Sequence, residues 1–158
     1  MIEKVPMTPE GYRKLQDELK RLKAEERPRI IKAIEEALDH GDLSENAEYD
    51  AAKDAQQHLD QRMREIEDKL SRAQVIRPED VKGDRVVFGA RVLLTDLENE
   101  KQVSYQLVGE EEADRTQRKI SVKSPLARGM IGKSVGDMFY VQTPAGEREY
   151  LVEKIHFE

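Results

Sequence analysis

Apolar side chains recur at Tyr12, Leu15, Leu19 and Leu22, resume at Ile30 or Ile31, Ile34, Ala37 and Leu38, and return at Tyr49, Ala52, Ala55, Leu59, Met63, Ile66, Leu70 and Ala73. Steps of three and four place each series on one helix face, close to a heptad seam. Met7-Thr8-Pro9-Glu10 predicts a helix start: Thr8 can accept orphan N–H groups, Pro9 suits the first turn, and Glu10 suits the positive dipole end. Pro28 interrupts the first series and removes a hydrogen bond to residue 24, which predicts a kink or local unwinding, because the apolar period resumes beyond it. Between the two series, Asp39-His40-Gly41-Asp42 predicts a tight turn. Two antiparallel helices of roughly 30 residues would form a hairpin roughly 45 Å long at ~1.5 Å rise per residue.

Past Arg77-Pro78-Glu79-Asp80 the period changes to two. Strands are expected at Arg85–Phe88, Ala90–Asp96 and Lys101–Val108, the last two forming a hairpin through Glu98-Asn99-Glu100. A second hairpin pairs Met138–Thr143 with Glu147–Ile155 across Pro144-Ala145-Gly146. Ser124, followed by Pro125 and Leu126 to Gly129, predicts a short capped helix between them. The class is therefore α+β: an N-terminal antiparallel two-helix coiled-coil hairpin over residues 1–76, then a small antiparallel β-sheet domain with one short helix over residues 77–158.

Charge explains how so thin a seam can fold. Of 158 residues, 38% are charged and only 37% apolar, with a net charge of -6, which is too polar for one compact core and matches a rod with a solvated surface. No apolar run approaches the ~20 residues of a membrane span. Zero cysteines exclude disulfides, thiolate metal sites and a cysteine nucleophile, and the first residues show no signal-peptide core, so a cytoplasmic protein is expected.

The turn concentrates acid: Asp39, Asp42, Glu45, Glu48 and Asp50 fall together, with no lysine or arginine between Asp39 and Lys53. Two readings stand side by side. Asp42-Leu43-Ser44-Glu45 has the spacing of a capping box, Asp42 as N-cap and Glu45 reaching back. Alternatively, two carboxylates hold a hard cation such as Mg²⁺, which is commonly bound by one or two carboxylates plus water and phosphate oxygens. A protruding pair excludes no water and cannot by itself complete a catalytic site, so a freestanding hydrolase is disfavoured. His40, His58 and His156 lack metal-ligand spacing, and Gly129–Ser134 has Ala127 where a phosphate-binding loop needs glycine. Glu110-Glu111-Glu112 reads as a solvated run, and Arg27, Arg29, Lys32 and Lys53 as helix surface or a weak phosphate-contacting patch.

Gly41–Tyr49 with Ala51-Ala52-Lys53 resembles the Gre family of bacterial transcript cleavage factors, and so do Pro6-Met7-Thr8, Arg27-Pro28, Ala73–Ile76, Val87–Ala90 and Ile120–Lys133. The resemblance spans essentially the whole chain. It implies an FKBP-like fold for the C-terminal domain, which would dock on bacterial RNA polymerase while the hairpin enters the secondary channel. It implies that Asp42 and Glu45, as the acidic pair, help hold a shared Mg²⁺ there, so that the polymerase hydrolyses the 3′ end of a backtracked nascent RNA. The Mg²⁺ would be held jointly with the polymerase, and neither a membrane nor a small-molecule substrate is expected. Tyr49, Lys53, Arg29 and Asn46 are candidate contacts to RNA or polymerase. The alternative is a channel-binding or coiled-coil adaptor in which the acids only cap a helix. A third reading, prolyl isomerisation by the C-terminal half, lacks a tryptophan to floor a proline pocket.

Overall fold

A computed structural model describes residues 3–41, 46–81 and 83–157. The chain forms two compact units, Tyr12–Arg72 and, built from both ends of the sequence, Met1–Gly11 with Ala73–Glu158. The change of hydropathic period near residue 76 does not mark this grouping, because the first residues join the second unit through strand pairing.

In the Tyr12–Arg72 unit, helix α1 (Pro9–Arg21) runs into a π-helical segment at Leu22–Glu26 and then helix α2 (Arg27–Asp39). The unwinding expected at Pro28 lies in that π turn, where the Arg27 amide reaches back to the Leu22 carbonyl. A wider turn just ahead of the proline accommodates its missing N–H and its ring. Helix α3 (Ala47–Ser71) returns. Leu15, Leu22 and Ala37 on the first arm and Ala52, Leu59, Met63 and Ile66 on α3 are buried. Ile31 and Leu38 are exposed, so Ile30 rather than Ile31 carries the seam, and Leu38 leaves it. Arg62 donates two hydrogen bonds to Glu18, at 3.0 and 2.9 Å, and Lys23 lies 3.4 Å from Glu67, tying the arms along the seam's margin.

The second unit begins with a parallel pair not anticipated by hydropathy, β1 (Val5–Met7) on β2 (Ala73–Val75). Its main sheet has the order β5-β4-β3-β7-β6, from β3 (Ala90–Asp96), β4 (Gln102–Val108), β5 (Lys119–Ser121), β6 (Met138–Thr143) and β7 (Gly146–Phe157). All pairs are antiparallel except β4 with β5. The sheet is therefore mixed, where a purely antiparallel one was expected. A bulge opposite Leu93 and Leu94 bends β7 against β3. Val86, Val92, Leu94, Leu107, Met130 and Val152 are fully enclosed on the inner face. Helix α4 (Pro125–Met130), capped by the Ser124 hydroxyl accepting from the Ala127 amide, closes that face. Gly129 lets it approach β6, because a Cβ there would sit 2.9 Å from Phe139 Cδ2.

Two expectations are corrected here. Arg85–Phe88 is not a strand: Arg85 makes one isolated bridge to Ser134, and Val86 exchanges backbone bonds of 2.8 Å with Lys133 and Gly132 before the chain turns at Gly89. Nor is Glu112 part of a solvated run. It ends a single 3-10 turn (Glu110–Glu112), and its carboxylate accepts from the Thr8 hydroxyl, the Thr8 amide at 3.0 Å and the Gly109 amide at 3.1 Å. Thr8 in turn accepts from the Gly11 amide as the cap of α1. This contact explains a glycine in the first turns of a helix, since a Cβ on Gly11 would lie 2.2 Å from Glu112 Cδ.

Candidate functional site at the hairpin turn

Helix α2 ends at Asp39, with the His40 amide bonded to the Ala37 carbonyl at 3.2 Å and the Gly41 amide to Leu38 at 3.3 Å. Gly41 has φ +105°, a conformation that side chains disfavour, and it ends the helix in the manner the turn reading expected. Asp42 and Glu45, the acidic pair, lie outside the described residues.

The chain re-enters the described structure at Asn46, the N-cap of α3. Its Oδ1 accepts from the Tyr49 amide at 3.1 Å, and its Nδ2 donates to the Ala37 carbonyl at 2.6 Å. One amide side chain thus caps α3 and bonds to the last turn of α2, satisfying orphan groups on both helices. The helix at Ala47–Ser71 takes its cap from Asn46, and the Asp42-to-Glu45 capping box lies outside the described residues. Only a side chain with both a donor and an acceptor serves both ends, which a carboxylate does not.

The remaining acids divide by their effect on the helices. Glu48 and Asp50 in the first turn of α3 face its positive end, a favourable placement. Asp39 sits at the C-terminal end of α2, whose last turn holds no basic residue, so helix electrostatics oppose it. His40 Nδ1 lies 3.8 Å from Glu48 Oε2, an exposed contact across the turn that the sequence spacing did not reveal. Of the other candidates, Tyr49 is half-buried, and Arg29 and Lys53 each engage a neighbour on their own helix: Arg29 pairs with Glu26 at 2.5 Å, and Lys53 Nζ contacts Gln56 Oε1 at 3.1 Å. The turn therefore gathers Asn46, Tyr49, His40 and Glu48, while Arg29 and Lys53 are held separately by their partners. Among the described residues no three His, Asp or Glu side chains form a metal cluster, and no helix is long and apolar enough to cross a membrane.

A helical hairpin with Asp39, Glu48 and Asp50 beside its turn, followed in sequence by a five-stranded mixed sheet with one short helix, defines an α+β class of protein built from two units. Residues 5–75 match the family model of the N-terminal region of transcription elongation factors GreA and GreB, and residues 80–157 match the C-terminal GreA/GreB model. The chain belongs to the GreA/GreB family of transcription elongation factors. It is 57% identical over 156 residues to transcription elongation factor GreA of Sphingopyxis alaskensis, covering 99% of this chain and 98% of that protein. It is 52% identical to GreA of Beijerinckia indica, covering 99% and 100% of the two chains. Among solved structures, GreA factor homolog 1 (Gfh1) of Thermus thermophilus is 31% identical, covering 98% of this chain and 99% of that one, with a TM-score of 0.45.

Proposed function

We propose that the protein is a GreA-type elongation factor that enters the secondary channel of bacterial RNA polymerase and stimulates the polymerase's own cleavage of the 3′ end of backtracked RNA. On this reading it is a cytoplasmic protein cofactor, not a hydrolase: the sheet domain docks on the polymerase, and the hairpin turn meets the nascent RNA. The observation that carries the role of the turn is Asn46. With the cap of α3 supplied by its amide, that helix needs no cap from the acidic pair, and the sequence places acid next to a helix end where Asp39 already meets an unfavourable dipole.

The donor set suits Mg²⁺, a hard cation that takes carboxylate oxygens alongside water and phosphate. Asp42 and Glu45 would hold it jointly with the polymerase. Bound there, it supplies Lewis-acid activation of water for phosphodiester hydrolysis. The two carboxylates add negative charge next in sequence to the start of α3, which Asn46 caps through the Tyr49 amide. Arg29 and Lys53 contribute phosphate contacts only after exchanging their present partners.

Asp42→Asn and Glu45→Gln, assayed on a stalled backtracked complex, test the proposal. Circular dichroism and polymerase binding should be unchanged, while stimulated cleavage falls roughly 10- to 100-fold, the range seen when groups supporting a metal are removed. Full cleavage by both variants would overturn the metal-holding role of Asp42 and Glu45, and no stimulated cleavage by the wild type would establish the adaptor reading instead.

A further inference from the structure

Strand β6 is an edge of the five-stranded sheet, bonded to β7 on one side only. Its six residues, Met138-Phe139-Tyr140-Val141-Gln142-Thr143, include no charge and no proline, the devices that usually protect an edge from pairing with another chain. Alternation sends Phe139 and Val141 into the core and leaves Met138 and Tyr140 outside, 55% and 61% exposed. Tyr140 lies beside an open cavity of about 260 Å³ lined with Leu97, Glu98, Glu147 and Glu149. Glu149 and, more weakly, Glu147 push the Tyr140 hydroxyl pKa up, as negative neighbours do. Among the described residues no lysine or arginine forms an ion pair with Glu98, Glu147 or Glu149. The nearest arginine in sequence, Arg148, pairs with Asp96 at 2.7 Å and reaches Glu98 only through its longer-range charge.

We propose that the β6 edge with the Tyr140–Leu97 surface is a docking site for an extended, lysine- or arginine-bearing segment of a protein partner, which adds as a sixth strand. The unpaired backbone edge supplies main-chain hydrogen bonds, Tyr140 and Met138 supply apolar contact, and the three glutamates select basic side chains on the exposed face. A cation seated over the Tyr140 ring gains a further attraction. The same acids oppose pairing of two copies through β6 and repel nucleic acid, so a basic protein segment is the occupant the surface fits. This site is independent of the acidic turn and does not rest on the transcript-cleavage proposal.

The test is titration of the ¹⁵N-labelled full-length protein with an alternating Lys-Val octapeptide and with its Glu-Val counterpart. The basic peptide should shift the amides of residues 138–143, more weakly at high salt, and the acidic one should not. The double variant Glu147→Lys/Glu149→Lys should weaken basic-peptide binding roughly tenfold, as the loss of two exposed charge pairs implies. Tyr140→Ser should also weaken binding, and it leaves the charges in place if the double variant fails to fold. No shift at millimolar peptide, shifts confined to other strands, or equal binding of both peptides would overturn the proposal. Dilution-dependent shifts of β6 in the protein alone would overturn it in favour of self-association.

Discussion

The two units reach stability in opposite ways. The sheet unit encloses a three-dimensional core in which Val86, Val92, Leu94, Leu107, Met130 and Val152 have no solvent exposure, and it can afford a buried carboxylate, Asp96, because Arg148 and the Glu98 amide meet it. The hairpin has a line of contacts instead, one or two side chains deep, in which Ile66 and the small Ala37 are the fully enclosed side chains among the described residues. Its margins are held by ion pairs such as Arg62 with Glu18, each half-exposed and therefore weak. A core fails as a whole, while a seam fails locally, because each side chain in it has few neighbours that share its loss.

The largest effect that distinguishes the two comes from matched truncations. Leu94→Ala should cost about 2–5 kcal/mol and lower hydrogen-exchange protection across all strands of the main sheet together. Ile66→Ala should cost toward the low end of that range, with lost protection centred on the adjoining turns of α3. Loss of protection throughout both units from either variant would break the contrast.

Acid should act next, and on the sheet unit. Burial raises the Asp96 pKa, but the Glu98 amide and the Arg148 guanidinium outweigh it and hold the carboxyl below its ordinary range. A carboxyl depressed on folding contributes stability that is fully present above its unfolded pKa, near 3.9, and is lost as pH falls through the folded value. Urea unfolding of the wild type should therefore weaken below about pH 4 more steeply than that of Asp96→Asn. Parallel acid profiles would remove Asp96 from the account.

The smallest and most local effect is expected at the turn. Asn46→Ala should cost about 1 kcal/mol through the lost cap. Asn46→Asp should recover the cap but not the bond to Ala37, so amide exchange should recover at Tyr49 and stay fast around His40 and Gly41. Equal protection of both sides in Asn46→Asp would show that the cross-helix bond does nothing.

What the sequence disclosed follows the range of the interactions. The helices, Thr8 and Ser124 caps, Gly41 stop and both β-hairpins are encoded by neighbours a few positions apart and stand where the sequence placed them, except that Ala73, last in the helical series, opens strand β2 instead. Strands β1 and β2 are three residues each and pair Val5 with Ala73, too short for a period and too distant for a turn signal. Glu112 reaches Thr8 across 104 positions, which no local pattern records. At the site, the acidic concentration is legible, but the Asp42-to-Glu45 capping box lies outside the described residues, and the cap that α3 uses is Asn46. Asn46 has no acidic partner three residues on, and its second hydrogen bond exists only once the two helices lie side by side.

The π turn at Leu22–Glu26 has a consequence for how this arm tolerates change in length. Leu22 and Ile30 are eight positions apart, whereas two α-helical turns take about 7.2 residues. A turn closed one residue later absorbs the surplus as rotation, returning Ile30 to the side that Leu22 occupies. The extra residue is stored as angular phase instead of displacing the seam. Residues 22–26 are thus the hairpin's expansion joint, where one amino acid can be removed, provided Pro28 is replaced by a residue with an N–H, without turning Ile34 and Ala37 away from α3.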